Sequence, residues 1–198
     1  TGEDDETLSL QFNSDWTDTF STEVRLSQRD YTRLQEPPSG QNFADIRVCS
    51  TATPLDAAST TNQPTTCRNG SSNVAVVRFG PDQFRHANFL NTQNTQGQFS
   101  GELVRDTHLF KAGVQYQRQE IFNLFLPSSD GRYYFDSIRD FTNGHAGELN
   151  YRNALSGNSN DAAANFSYDT TSLFLQDTWD TTDQLTLTYG LRYDTYSV

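Results

Sequence analysis

Methionine is absent from the 198 residues, and tryptophan and cysteine occur twice each. Basic side chains are scarce: 14 Lys and Arg stand against 25 Asp and Glu, a formal net charge of −11. That imbalance argues against a nucleic-acid partner, because binding phosphates needs a basic surface. No apolar run approaches the ~20 residues a membrane helix requires. No basic segment followed by an apolar one opens the chain, so it contains no signal-peptide pattern. Hydrophobic residues make up only 34% and the mean hydropathy is −0.72, less apolar than an ordinary soluble domain.

Aromatic side chains are plentiful, at 13%, with 14 Phe and 9 Tyr. A disordered polar chain lacks such rings. A sheet with one apolar face and one wet face accommodates them. Cys49 and Cys67 bracket a stretch rich in Thr, Ser, Asn and Pro. Two thiols alone make a poor zinc site, and a pair closing one polar loop points to a disulfide and an oxidising compartment. Two free thiols are the alternative.

Strict alternation recurs along the chain. From Thr7 to Trp16, Leu8, Leu10, Phe12 and Trp16 share one parity, against Ser9, Gln11, Asn13 and Asp15. Residues two apart share a face of a strand. Asp18-Thr19 is a short turn, and a second strand runs from Phe20 to about Thr32. Arg105 to His108 is a turn between a third strand, ending near Val104, and a fourth with Phe110, Ala112, Val114 and Tyr116 on one face. A fifth strand runs to about Trp179 with less regular alternation, because Leu173 and Leu175 flank Phe174. After a turn at Thr181 to Asp183, Leu185, Leu187, Tyr189, Leu191 and Tyr193 alternate with Thr186, Thr188, Gly190, Arg192 and Asp194. Two long connections, about 33–73 and 123–163, separate the hairpins, with a helical turn expected at Asp136 to Phe141. Short turns therefore gather at one end of the strands and long loops at the other. Transmembrane β-barrels have this asymmetry.

The expected fold is all-β: about six strands of an antiparallel up-and-down transmembrane β-barrel, residues 1–198 forming part of an outer-membrane barrel domain. Trp16, Phe20, Phe110 and Trp179 flank the short turns, and with Tyr189 and Tyr193 they are the candidate membrane-interface aromatics. Glu23, Arg25, Arg29, Glu102, Lys111, Arg192 and Asp194 share the opposite parity and are the candidate lumen-facing residues, with cross-strand ion pairing as their expected role. Asp30 and Asp177 break the apolar parity near strand ends, where a charge costs little. A secreted soluble β-sandwich, as in an adhesin or carbohydrate-binding module, would also show one apolar face per strand and is the alternative.

Several stretches resemble TonB-dependent receptors of the Oar-like, carboxypeptidase-regulatory-like type. They are Arg78-Phe79-Gly80-Pro81-Asp82 with Arg85-His86-Ala87-Asn88, Phe110 to Tyr116 leading into Ile121 to Phe125, and Gly131 to Phe135 with Ser137 and Asp140-Phe141. Leu173 to Trp179 and Leu185 to Asp194 are similar to a strand pair shared by many such receptors. The resemblance covers about Asn73 to Asp194. It implies a barrel of about 22 strands in the bacterial outer membrane, surrounded by lipid. It also implies a plug domain, coupling to the TonB complex, and uptake of an external ligand that the sequence does not identify. Neither plug nor TonB box is present in these residues, so the chain is expected to be an internal piece whose plug and TonB contacts belong to a longer parent.

Signatures of chemistry are missing. There is no phosphate-binding glycine loop, dinucleotide fingerprint or nucleophile elbow, so no enzyme and no cofactor are expected. His86, His108 and His145 are far apart without metal spacing, and each reads as a surface or loop residue. Ser156 to Asp161 is rich in oxygen ligands but lacks the closing Glu of a calcium loop. Asn69-Gly70-Ser71 and Asn165-Phe166-Ser167 match glycosylation acceptors, a pattern irrelevant in a bacterial protein.

Overall fold

A computed structural model describes residues 2–51, 67 and 74–198. The Asn69-Gly70-Ser71 acceptor lies outside the described residues. These group into two compact units.

The first unit, Glu3–Thr32, Leu90–Phe122 and Ala164–Val198, holds the long strands. They are β1 (Gly2–Thr17), β2 (Phe20–Leu34), β5 (Ala87–Arg105), β6 (His108–Leu126), β9 (Ala164–Thr182) and β10 (Leu185–Ser197), the intervening numbers belonging to the second unit. They form one antiparallel sheet in the order β1-β2-β5-β6-β9-β10, an up-and-down meander with an open edge at each end. The short turns occupy two residues each. At the first, the Thr17 hydroxyl oxygen accepts from the Phe20 amide at 3.0 Å. At the second, Asp106 sits at φ 54°, a left-handed conformation that Asp tolerates. The third falls at Asp183-Gln184 rather than Thr181 to Asp183, because β9 stays paired through Thr182 opposite Leu185.

Period-two patterning sets the faces. Leu187, Tyr189, Leu191 and Tyr193 lie opposite Trp179, Asp177, Leu175 and Leu173, while Arg192 and Asp194 lie opposite Phe174 and Ser172. Phe174, which blurs the alternation of β9, belongs to the wet face. There it covers Gly113: a Cβ at Gly113 would stand 2.5 Å from the Phe174 ring and 2.6 Å from the Phe99 carbonyl oxygen. An aromatic ring packed over a strand glycine repairs the gap left by the missing side chain. The ring can swing aside but the backbone oxygen cannot. Gly113→Val is therefore expected to reduce the heat-modifiable, assembled fraction of the protein on gels several-fold. Wild-type assembly of that variant would show that the close approach is dispensable.

The second unit is built from described parts of Arg33–Phe89 and from Asn123–Ala163. The long connections are not bare loops, and the first runs on past residue 73 to the start of β5 at Ala87. They supply β3 (Asp45–Cys49), β4 (Val76–Phe79), β7 (Arg132–Phe135), helix α1 (Ile138–Asn143) and β8 (Glu148–Asn150). The four strands form a second sheet in the order β4-β3-β7-β8, with β3 and β7 parallel. The helix begins two residues later than expected. The Ser137 hydroxyl accepts from the Asp140 amide at 3.0 Å and donates to the Asp140 carboxylate at 2.7 Å, and left-handed Gly144 ends it. This satisfies the free amides and carbonyls of a one-turn helix. Cys49 and Cys67 are disulfide-bonded, their Cα atoms 5.5 Å apart. With Tyr134 they form a small core, against which Val74 and Val76 pack. Phe141 packs edge-on against Phe79 and Phe135.

Candidate functional site

The two units distribute apolar surface in opposite ways. Among the described residues every buried hydrophobic side chain lies in the second unit: Val48, Cys49, Cys67, Leu124, Tyr134 and Phe135. In the long-strand unit the buried side chains are polar, Ser100, Ser172 and Asp177. Its large apolar residues are exposed instead, among them Leu8 (78%), Leu191 (81%) and Tyr193 (67%). A soluble sandwich would cover those leucines with a second sheet. An exposed apolar face running the length of several strands calls for an apolar solvent.

That face has polar boundaries. At the end away from the short turns, the Tyr116 hydroxyl donates to Asp169 at 2.6 Å and Arg118 meets Glu120 at 2.9 Å. Gln93 donates to Asp30 at 2.7 Å and Gln28 at 3.1 Å. The parity-breaking Asp30 is thus one member of a belt. At the short-turn end stand the aromatic residues. The Trp16 indole donates to Thr22 at 2.9 Å, and half-exposed Phe20 follows the same turn. Phe110 and Trp179 flank His108, whose ring lies parallel to theirs at 5.5 and 5.4 Å, and the Tyr189 hydroxyl donates to Asp177, the hydrogen-bond partner of His108, at 2.7 Å. Tyr193 stands apart from this girdle, opposite Leu173. From Trp179 to Asp169 the strand covers about 33 Å, which at a barrel tilt of ~40° spans the ~25 Å of an apolar band.

The opposite face holds the candidate lumen-facing charges, and each of these seven has a partner. Lys111 meets Glu102 at 2.7 Å, Arg29 meets Asp5 at 2.6 Å, and Arg25 meets Glu23 at 3.0 Å. Arg192 contacts Asp194 at 2.9 Å and donates to Ser172 at 2.7 Å and Gln115 at 3.3 Å. Two of these pairs, Glu23–Arg25 and Arg192–Asp194, run along one strand rather than across two. Residues two apart on a strand already share a face, so no neighbour is required to bring them together.

In the second unit, the segment Arg78 to Asn88 makes a compact connector. Gly80 has φ 87°, and a Cβ there would stand 2.1 Å from the Ala44 carbonyl oxygen, so only glycine fits. The Asp82 carboxylate caps the turn Gln83–Arg85, accepting from the Phe84 amide at 2.9 Å. His86 follows. It is not a surface residue: it is 6% exposed, and its Nδ1 accepts from the Asp130 amide at 3.1 Å. That bond puts the ring proton on Nε2, which has no partner. His86 lines a cavity of about 370 Å³ together with Asn42, Asn88, Ser129, Asp130 and Ser159. A buried donor beside a polar cavity is suited to an oxygen acceptor, from water or a ligand. From the sequence His86 reads as a surface or loop residue, since its partner, Asp130, is 44 residues away.

His108 is likewise no loose loop residue; it opens β6 and is hydrogen-bonded to Asp177. His145 is exposed. Among the described residues no three metal-ligating side chains come together. In the oxygen-rich stretch near residue 160, Asp161 accepts from Ser156 and from Asn158 at 3.2 Å, folding the segment on itself.

Comparison with known families adds one finding. Residues 1–198 match the model of the outer membrane beta barrel domain family. The chain belongs to that family. No curated protein and no solved structure matches it. The long-strand sheet of this outer membrane beta barrel domain exposes an apolar band, and membership points to an outer-membrane location. Its six strands form an open sheet rather than a closed barrel.

Proposed function

We propose that the chain is part of a TonB-dependent receptor of the bacterial outer membrane, taking up an external ligand without catalysing a reaction. The supporting observation is the division of labour between units. One exposes an apolar band edged by aromatic residues and a polar belt. The other has a small core of its own and a polar cavity beside His86. In this reading Leu191 and its neighbours face lipid, the Lys111–Glu102 and Arg192–Asp194 face lines the lumen, and the His86 unit meets the ligand outside the cell. Open sheet edges are not tolerated in hydrocarbon, so further strands close the barrel around β1 and β10. The plug and the TonB contact belong to the longer parent chain.

Uptake assays test this reading. Cells carrying or lacking the full-length protein are offered labelled ferric siderophores, oligosaccharides and peptides, with and without an uncoupler. Protein-dependent accumulation that the uncoupler abolishes is the expected result; accumulation unaffected by it would exclude TonB coupling. His86→Asn retains an acceptor for the Asp130 amide and removes the Nε2 donor. It is expected to lower uptake of the responding ligand about tenfold with assembly unchanged, measured by heat-modifiable mobility.

A further inference from the structure

Asp177 is an acidic residue that interrupts the β9–β10 apolar surface near its short-turn end. It lies opposite Tyr189 and two residues from Leu175, and its side chain is 8% exposed. Its two oxygens are treated unequally. Oδ2 accepts from both His108 Nδ1, at 2.8 Å, and the Tyr189 hydroxyl, at 2.7 Å. Oδ1 has no hydrogen-bond partner. A carboxylate oxygen left unpaired in a dry place is costly, and evolution usually replaces such a group or gives it a donor.

Beside this carboxylate runs a groove of about 450 Å³, lined by Phe110, Leu175, Tyr189, Gly190 and Leu191 with Asp177. Its walls are apolar and aromatic. We infer that this groove binds an aminophospholipid, its primary ammonium headgroup donating to Asp177 and its upper acyl chain lying along Leu175 and Leu191. Charge complementarity selects the occupant. An anionic headgroup would meet a carboxylate. A quaternary ammonium carries the charge but has no N–H for Oδ1. A primary ammonium offers both, and the faces of Phe110 and Tyr189 favour a cation beside them. The level is also right: Asp177 is two residues from Trp179 at the short-turn end, where headgroups meet the aromatic girdle. The inference rests on the reading that the Leu173–Leu175 face meets lipid.

The experiment separates the two. The full-length protein is purified in mild detergent, stripped of lipid, and placed in phosphatidylglycerol bilayers containing either phosphatidylethanolamine or phosphatidylcholine. Lipid retained on release into the gas phase is counted by native mass spectrometry. Phosphatidylethanolamine is expected to be retained about tenfold over phosphatidylcholine, the discrimination of one charge-assisted hydrogen bond. Asp177→Asn is expected to erase that preference. Equal retention of the two lipids by the wild-type protein overturns the site, with no variant needed. Fluorescence quenching by acyl-brominated lipid, compared between the wild type and Trp179→Phe, reports on the face itself. Quenching attributable to Trp179 together with equal lipid retention removes the headgroup site and leaves the lipid-facing reading intact. Absence of such quenching removes both.

Discussion

Leu191→Arg is expected to prevent most of the protein from reaching its heat-modifiable, assembled form, whereas Thr188→Arg three residues earlier leaves assembly near wild type. Leu191 is 81% exposed and lies opposite Leu175, between the girdle at Trp179 and the belt at Asp169. If that face meets hydrocarbon, an arginine near the middle of the band costs about 2–4 kcal/mol. In water the same substitution at so exposed a leucine would fall within about 0.5 kcal/mol of neutral. The two environments thus predict different outcomes for one residue. Thr188 is on the opposite face, its hydroxyl 3.3 Å from that of Thr178, where a long cation has water to extend into. Assembly of Leu191→Arg at the wild-type level, measured on unheated gels of outer-membrane fractions, would show that this surface does not face lipid.

What the sequence made legible depended on how local the cause was. Alternation from Leu185 to Tyr193 is a property of one strand, and the pairing of β9 with β10 across a two-residue turn follows from it. The irregularity at Phe174 could not be interpreted in that way. Its reason lies on β6, where Gly113 leaves the space that the ring covers. The small sheet was hidden for a related reason. Its strands have three to five residues, too few to establish a period. The parallel pairing of Asp45 with Arg132 joins segments from two different connections. Buried Asp45 shows the consequence. It holds Arg47 at 2.7 Å and accepts from the Gln83 amide at 3.3 Å, while Gln83 accepts from Ser128 and Arg132. Nothing in the local pattern of any one segment announces that network. The same holds for His108 and Asp177: Asp177 breaks the apolar parity and His108 reads as a surface or loop residue, but their hydrogen bond spans 69 positions.

The unit holding that network has few buried apolar side chains, which makes the Cys49–Cys67 bond a large share of its stability. The cysteines are 18 residues apart, and a loop of about this length corresponds to roughly 3 kcal/mol of restricted unfolded-state freedom. Reduction by dithiothreitol, or paired Cys49→Ala and Cys67→Ala substitution, is therefore expected to raise the population of the opened unit by about a hundredfold. Trypsin reports this directly, since Arg47 and Arg78 pair across the β3–β4 ladder and become cleavable when it opens. The long-strand sheet has no part in the disulfide, so heat-modifiable mobility should be unchanged while cleavage at these arginines accelerates. The two variables need to move separately for the two units to be energetically independent. Loss of assembly together with faster cleavage would mean instead that the disulfide-bonded unit is required for the strands to form their sheet.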